Sequence, residues 1–351
     1  MQNSGTSPVS FEIRSTPSSG RAVFATRNIP AHSIICSFSD LTVSALFRNY
    51  RREVCGQCFS YAQGRDLPVR DLSVGFAFCC EVCREKWRDD DGEVGVQAWT
   101  AVEMLVRKRG KEDNDLVDID LPRPKEAEIS LAWEEICLQA ELIRVARQAE
   151  KVDGNSADVG VQMTKQHRKA VQKALQQPIS PDVMSFCVSG ILWMHNKPSQ
   201  LQEFLDLEAD PTPYPNADNL GAFTRSYLHL LAVLPLPLLH LLTPENLFIL
   251  SSHDSHNAFG IRSLEDDGAE FFGYGCWPKA SYFNHSCAPS VTKTRAGREW
   301  VLKVNRDVDE GEELCITYLS GEERVLAREK RRRILKKNWG FECACVRCRE
   351  S

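Results

Sequence analysis

Two clusters of thiols carry the first chemistry legible in this sequence. One runs Cys55-Gly56-Gln57-Cys58 and then Cys79-Cys80-Glu81-Val82-Cys83; the other is the tail Cys343-Ala344-Cys345-Val346-Arg347-Cys348. A closed structural zinc site takes four soft ligands in a tetrahedron. Cys55, Cys58, Cys79 and Cys83 form a complete set, a Cys-x2-Cys knuckle plus a Cys-x3-Cys pair on a helical turn, with Cys80 a bystander. The tail offers only three thiolates, so its fourth ligand must come from elsewhere, and Cys287 is the candidate. Neither set leaves a coordination position open for water or substrate. The expectation is therefore two structural Zn2+ ions, each contributing on the order of 10 kcal/mol to local folding, and no zinc hydrolase chemistry.

The compartment supports metal over disulfides. The chain has 14 cysteines in 351 residues, yet its first residues are polar and lack the apolar core of a secretory signal. A cysteine-rich chain that is not secreted points to metal sites or buried thiols. Cys36, Cys137, Cys187, Cys276 and Cys315 read as core residues. The most apolar stretch, Leu228 to Leu242, is too short for a bilayer and is interrupted by His229, Pro235, Pro237 and His240. The expectation is no membrane and a nuclear or cytoplasmic protein. A net charge of −5 gives no global field for holding nucleic acid through its phosphates.

The elements that must position these residues follow from pattern. Phe11 to Val43 reads as short strands punctuated by Gly20 and Pro30. Arg88 to Gly95 is acidic and reads as a loop, and Arg107 to Glu126 as a solvated linker. Ile129, Trp133, Ile136, Ala140 and Ile143 recur at helical spacing, and a polar segment near Gly154 ends that helix. A second helix covers Lys165 to Gln176, and leucine-rich helical sequence fills Ser199 to Leu250. From Phe259 the texture is β, with Trp300–Val304 and Leu314–Tyr318 as strands. Glu322 to Lys337 reads as one basic helix leading into the tail cysteines.

Several of these segments resemble one family. Ser281-Tyr282-Phe283-Asn284-His285-Ser286-Cys287-Ala288-Pro289 looks like the Asn-His-Ser-Cys-x-Pro signature of SET domains. Gly311 to Tyr318 looks like their Gly-Glu-Glu-Leu-x-x-x-Tyr motif, Gly20 to Ala25 like their N-terminal glycine-rich turn, and Phe341 to Cys348 like a post-SET zinc segment. A cysteine module between the first strands and the rest is similar to the SET-and-MYND branch, as is Asn257-Ala258-Phe259-Gly260-Ile261. The second zinc of a full MYND finger has no ligands here: Trp87 is in place, but no His or Cys follows it. Ser290 stands where the family often has Asn. The branch's helical C-terminal domain is expected to be absent.

The resemblance implies an α+β fold, with a SET β-fold of short sheets and a pseudoknot. A single-zinc MYND-like module and a helical insertion would interrupt it, and a post-SET zinc segment would follow. The expected divisions are 10–48 (first SET strands), 50–87 (zinc module), 88–250 (helical insertion), 251–321 (SET core) and 322–351 (post-SET). It also implies S-adenosylmethionine as methyl donor and a protein lysine as acceptor, on a histone tail or another protein, by a monomeric enzyme. Tyr318 would be the catalytic residue, its hydroxyl taking weak C–H···O contacts from the methyl group. Gly20, Arg21, Asn257, Ser281, Asn284 and His285 would shape the cofactor site. Phe341, carried by the zinc clamp, would stack on adenine or wall the lysine channel. The alternatives are a strand tyrosine packed in the core and an Asn-His pair in an ordinary turn. At the level of the whole chain they are a catalytically silent SET-scaffold adaptor that binds proteins through its zinc module, and a zinc-finger nucleic-acid binder. The basic run Arg328, Lys330–Arg333, Lys336 and Lys337 reads first as a solvated face, with nucleosomal DNA contact as a weak secondary idea.

Overall fold

The computed structural model describes residues 10–17, 20–109, 121–149, 163–264 and 268–349. In chain order the elements are β1 (Phe11–Thr16), β2 (Gly20–Ala25), β3 (Ile34–Phe38), β4 (Ser44–Leu46), β5 (Val69–Asp71) and β6 (Phe76–Phe78). A helical series follows: α1 (Glu81–Arg109), α2 (Glu126–Ala149), α3 (Lys165–Leu175), α4 (Pro181–Asn196), α5 (Leu201–Leu205), α6 (Ala217–Val233) and α7 (Pro244–Asn257). Then come β7 (Ala258–Arg262), β8 (Phe271–Cys276), β9 (Val291–Ala296), β10 (Glu299–Val304), α8 (Gly321–Arg324), α9 (Arg328–Trp339) and α10 (Val346–Arg349). This is the α+β order expected. Much of the linker expected at Arg107–Glu126, and all of the segment near Gly154, lie outside the described residues.

The chain divides into two compact units, one of residues 1–41, 256–271 and 276–351, the other of 42–255 and 272–275. In the first, β1 and β2 form an antiparallel hairpin, and β3-β10-β9 an antiparallel sheet with β10 central. Gly20 opens β2 at φ +65, a left-handed conformation that costs a residue with a Cβ strain and glycine none. The second unit is mostly helical. Apolar residues of α2 at the expected spacing are buried (Ile129, Trp133, Ala140, Ile143). α3 begins at Thr164, whose hydroxyl accepts from the His167 N–H in a capping box, so one orphan donor of the first turn is satisfied.

The structure corrects four readings. Arg88–Gly95 does not loop out: it lies in α1, which breaks only at Gly92 (φ 68, ψ 179). Trp87, Trp99 and Val102 anchor that helix in the core, and this burial outweighs the acidic surface that suggested a loop. Leu314–Tyr318 is extended but joins no ladder, making isolated bridges from Glu313 to Phe24 and from Ile316 to His285. The expected single basic helix is two, α8 and α9, because Ser320 caps a one-turn helix that ends at Val325. Cys137 is exposed on α2, its thiol donating to the Trp133 carbonyl at 3.3 Å; Cys36 and Cys315 are only partly buried. α4 lies within the helical insertion expected over 88–250, but the pattern marks no separate helix there. Among the described residues, no helix is long and apolar enough to cross a membrane.

Candidate active site and metal centres

In the first unit, Asn284–Ser286 runs parallel to the segment around Ile316. The Ile316 N–H donates to the Asn284 carbonyl and the Ser286 N–H to the Ile316 carbonyl, both at 2.9 Å. A parallel bridge bonds the residues on either side of His285 and turns the N–H and C=O of His285 itself away from the pairing. The Asn284 side-chain amide donates to the Arg21 carbonyl at 3.2 Å and to Glu313 Oε1 at 3.0 Å. Arg21 lays its guanidinium 4.8 Å from the Tyr282 ring and donates to the Tyr282 hydroxyl at 3.1 Å. The Ser281 hydroxyl lies 3.1 Å from the Asn257 carbonyl oxygen. Gly20, Arg21, Asn257, Ser281, Asn284 and His285 are thus tied into one neighbourhood by hydrogen bonds and by chain adjacency.

Tyr318 joins them from the crossing segment. Its backbone N–H donates to His285 Nδ1 at 3.0 Å, and its hydroxyl donates to the Phe283 carbonyl at 3.1 Å. Burial pushes the phenol's proton affinity up, so Tyr318 stays protonated and neutral. Burial pushes His285 down to about 4, helped by the charges of Lys293 and Arg331. The neutral imidazole accepts at Nδ1, which places its proton on Nε2, 3.4 Å from Cys287 Sγ. The tautomer therefore makes His285 an N–H donor to a sulfur of the tail cluster.

That cluster assembles as the thiol arithmetic required. Among the described residues, the ligand atoms of Cys287, Cys343, Cys345 and Cys348 lie within 4.8 Å of one another, as do those of Cys55, Cys58, Cys79 and Cys83. Zinc bound by thiolates at about 2.3 Å needs sulfur–sulfur edges of about 3.8 Å. The structure gives 4.0 Å for Cys287–Cys343 and 3.6 Å for Cys287–Cys348. In the other group Cys58–Cys79 is 3.7 Å and Cys79–Cys83 is 3.4 Å. Both groups could hold zinc, and all their cysteines are free thiols. The β5–β6 hairpin delivers Cys79, the first turn of α1 carries Cys83, and Cys80 is exposed outside the set.

Closing the tail cluster sets the aromatic wall beside Tyr318. Phe341 lies 6.0 Å from His285 and 6.3 Å from Tyr318, edge-on to the tyrosine at 85°. Sequence reasoning missed two members. Trp339, the last residue of α9, packs 5.3 Å from Tyr318; its place two residues before Phe341 was the signal available. Arg331 was grouped with the solvated basic face. It is instead buried, donating to the Leu326 carbonyl at 2.6 Å and reaching Cys348 Sγ at 3.8 Å. Arg332 and Lys336 both reach Glu342 at 2.8 Å, so much of the run is engaged within the unit.

The fold, the Asn284–Cys287 crossing and the thiol clamp define a known class: the SET-domain family matches residues 20–319, and the chain belongs to it. Among curated proteins, the potential protein lysine methyltransferase SET6 of Saccharomyces cerevisiae is 27% identical over 97% of this chain and 95% of its own length. The histone-lysine N-methyltransferase ASHR2 of Arabidopsis thaliana is 27% identical over 52% of this chain and 49% of its own. Human histone-lysine N-methyltransferase SMYD3 is 39% identical over 26% of this chain and 20% of its own. The chain therefore spans nearly all of the yeast relative and half or less of the other two.

Proposed function

We propose that this protein transfers methyl groups from S-adenosylmethionine to lysine side chains of proteins. The observation that carries the reading is the convergence of Asn284, His285, Tyr318, Trp339 and Phe341 on one crossing beside a thiol clamp, in a chain of the SET family. The outward N–H and C=O of His285 suit a nucleoside, which offers complementary donors and acceptors. Asn284 and Arg21 hold the adjoining wall, and Asn257 and Ser281 the other side. When bound, S-adenosylmethionine supplies an electrophilic methyl group on a sulfonium. The chain's residues orient the acceptor and exclude water: Tyr318, Trp339 and Phe341 form an aromatic surface, and the neutral Tyr318 hydroxyl offers its oxygen lone pairs to C–H groups at short range. An acceptor lysine, with a pKa of about 10.4 in water, loses its proton more readily in such apolar surroundings.

On this reading the protein acts as a monomer in the nucleus or cytoplasm, on histone tails or other lysine-bearing proteins, with both zinc ions structural. The test is a labelled-methyl assay on core histones, nucleosomes and a cell extract, followed by site mapping. Incorporation into lysine that is lost in Asn284→Ala is the expected result. Measured cofactor binding with no transfer to any of these would overturn the reading and leave a protein-binding scaffold.

A further inference from the structure

Arg331 is an enclosed cation, 3% exposed. Its Nη1 donates to the neutral Leu326 carbonyl at 2.6 Å, and its Nη2 lies 3.8 Å from Cys348 Sγ. Nε is shut away from solvent with no hydrogen-bond partner. Its neighbours on α9 pair with carboxylates, Arg328 with Glu329 and both Arg332 and Lys336 with Glu342. Among the described residues Arg331 has no such pair. A guanidinium cannot shed its proton, and a buried charge left unpaired is costly. The nearest groups able to carry negative charge are the tail thiols.

Helix geometry delivers the charge there. Arg331 and Leu335 are the buried residues of α9, and with Trp339 they recur every fourth residue along one side of the helix. Leu335 packs with Cys287, Cys343 and Cys348, and Trp339 reaches Tyr318 at 5.3 Å. The stripe thus begins at the thiol sulfurs and ends at the candidate active site. Four thiolates around one divalent ion leave two negative charges unbalanced, and N–H groups aimed at the sulfurs offset them. His285 Nε2 is one, 3.4 Å from Cys287 Sγ; Arg331 adds a full positive charge. Among the described residues, the first group has no such donor: its thiols meet one another, Cys80 and the Ser60 hydroxyl. We propose that Arg331 is the counter-ion of the tail metal site, holding α9, and Trp339 with it, to the zinc–thiolate charge. This rests on the tail group's binding zinc, as in the reading above, and its test involves no methyl transfer.

Zinc affinity is measured by competition with a chelating dye on the full chain carrying Cys58→Ser, which leaves the tail as the complete four-thiol group. Arg331→Gln keeps a donor for the Leu326 carbonyl and drops the charge; it should weaken tail zinc binding by about tenfold or more. Arg331→Lys keeps a point charge and should stay within about threefold of the parent. Loss of helix packing alone could also weaken zinc, so cobalt supplies the separating readout. With Co2+ in the tail, a nearby cation lowers the energy of the sulfur lone pairs. Arg331→Gln should therefore move the sulfur-to-metal charge-transfer band to longer wavelength, and Arg331→Lys should leave it near the parent's. Unchanged tail affinity or an unmoved band in Arg331→Gln overturns the proposal. So does a loss beyond about tenfold in Arg331→Lys, which can be read even where Arg331→Gln does not fold. A Cys58→Ser chain that binds no zinc overturns the tail metal site and this proposal together, and leaves methyl transfer to its own assay.

Discussion

The Tyr318 hydroxyl is engaged before any substrate binds, donating to the Phe283 carbonyl at 3.1 Å. That bond fixes the direction of its lone pairs, and burial keeps it protonated, so on the proposed reading it would act as an oriented dipole and not as a base. Tyr318→Phe keeps the ring contacts with Trp339 and Phe341 and removes only the oxygen. The expected result is a fall in the methyl-transfer rate of about 100-fold, the scale of losing one preorganised polar group, with the cofactor Kd unchanged; single-turnover rates and calorimetry check the two parts. At this scale the sequence was informative where chemistry restricts residue type. Four thiols have few reasons to meet, so the ligand count showed that the tail lacked one, with Cys287 as the candidate. Arg331 was not legible, because an arginine among arginines carries no mark of which one faces inward.

Among the elements, those with a polar face were readable and those without one were not. α2 shows its period because one side meets water. α4 buries nearly every residue from Val183 to Met194, and a helix apolar all round has no period to find. The break at Gly92 hid α1 in the same way, since an acidic run beside a glycine looks like a loop. Two positions in the second unit give tests. Gly273 in β8 has φ +154, and a Cβ there would fall 2.0 Å from the Ala45 carbonyl oxygen across the β4–β8 pairing. Gly273→Ala should cost more than about 3 kcal/mol, read as a lowered denaturant midpoint. Asp254 on α7 has an enclosed Oδ1 with no hydrogen-bond partner, and burial pushes its carboxyl up to about 8. Unfolded, it titrates near pH 3.9, so between about pH 4 and 8 the folded chain holds a proton that the unfolded chain has lost. Stability from this group is therefore present below about pH 4 and lost as pH rises toward 8. Asp254→Asn should match the parent at pH 4 and exceed it increasingly up to pH 8, read by urea titrations across that range.

At the scale of the whole molecule, the two thiol groups belong to different units: Cys55, Cys58, Cys79 and Cys83 to the helical one, Cys287 and the tail to the SET strands. Zinc bound in either group would add its binding free energy to the folding of its own surroundings, and the tail group contacts the candidate active site directly. Cys287 follows His285 by two residues and lies 3.4 Å from its Nε2, and the same cluster anchors Phe341 and Trp339 against Tyr318. Losing that metal should release one aromatic wall and the imidazole's orientation together. Cys58→Ser has no such route to the cofactor. Both variants should drop from two zinc ions per chain to one, measured by metal analysis of the purified protein. Cys287→Ser should also weaken S-adenosylmethionine binding by at least tenfold, while Cys58→Ser, whose thiol meets Ser60 and Cys79, should hold it within about twofold. Equal cofactor affinity in the two variants would show that the tail clamp and the cofactor site are not coupled through His285.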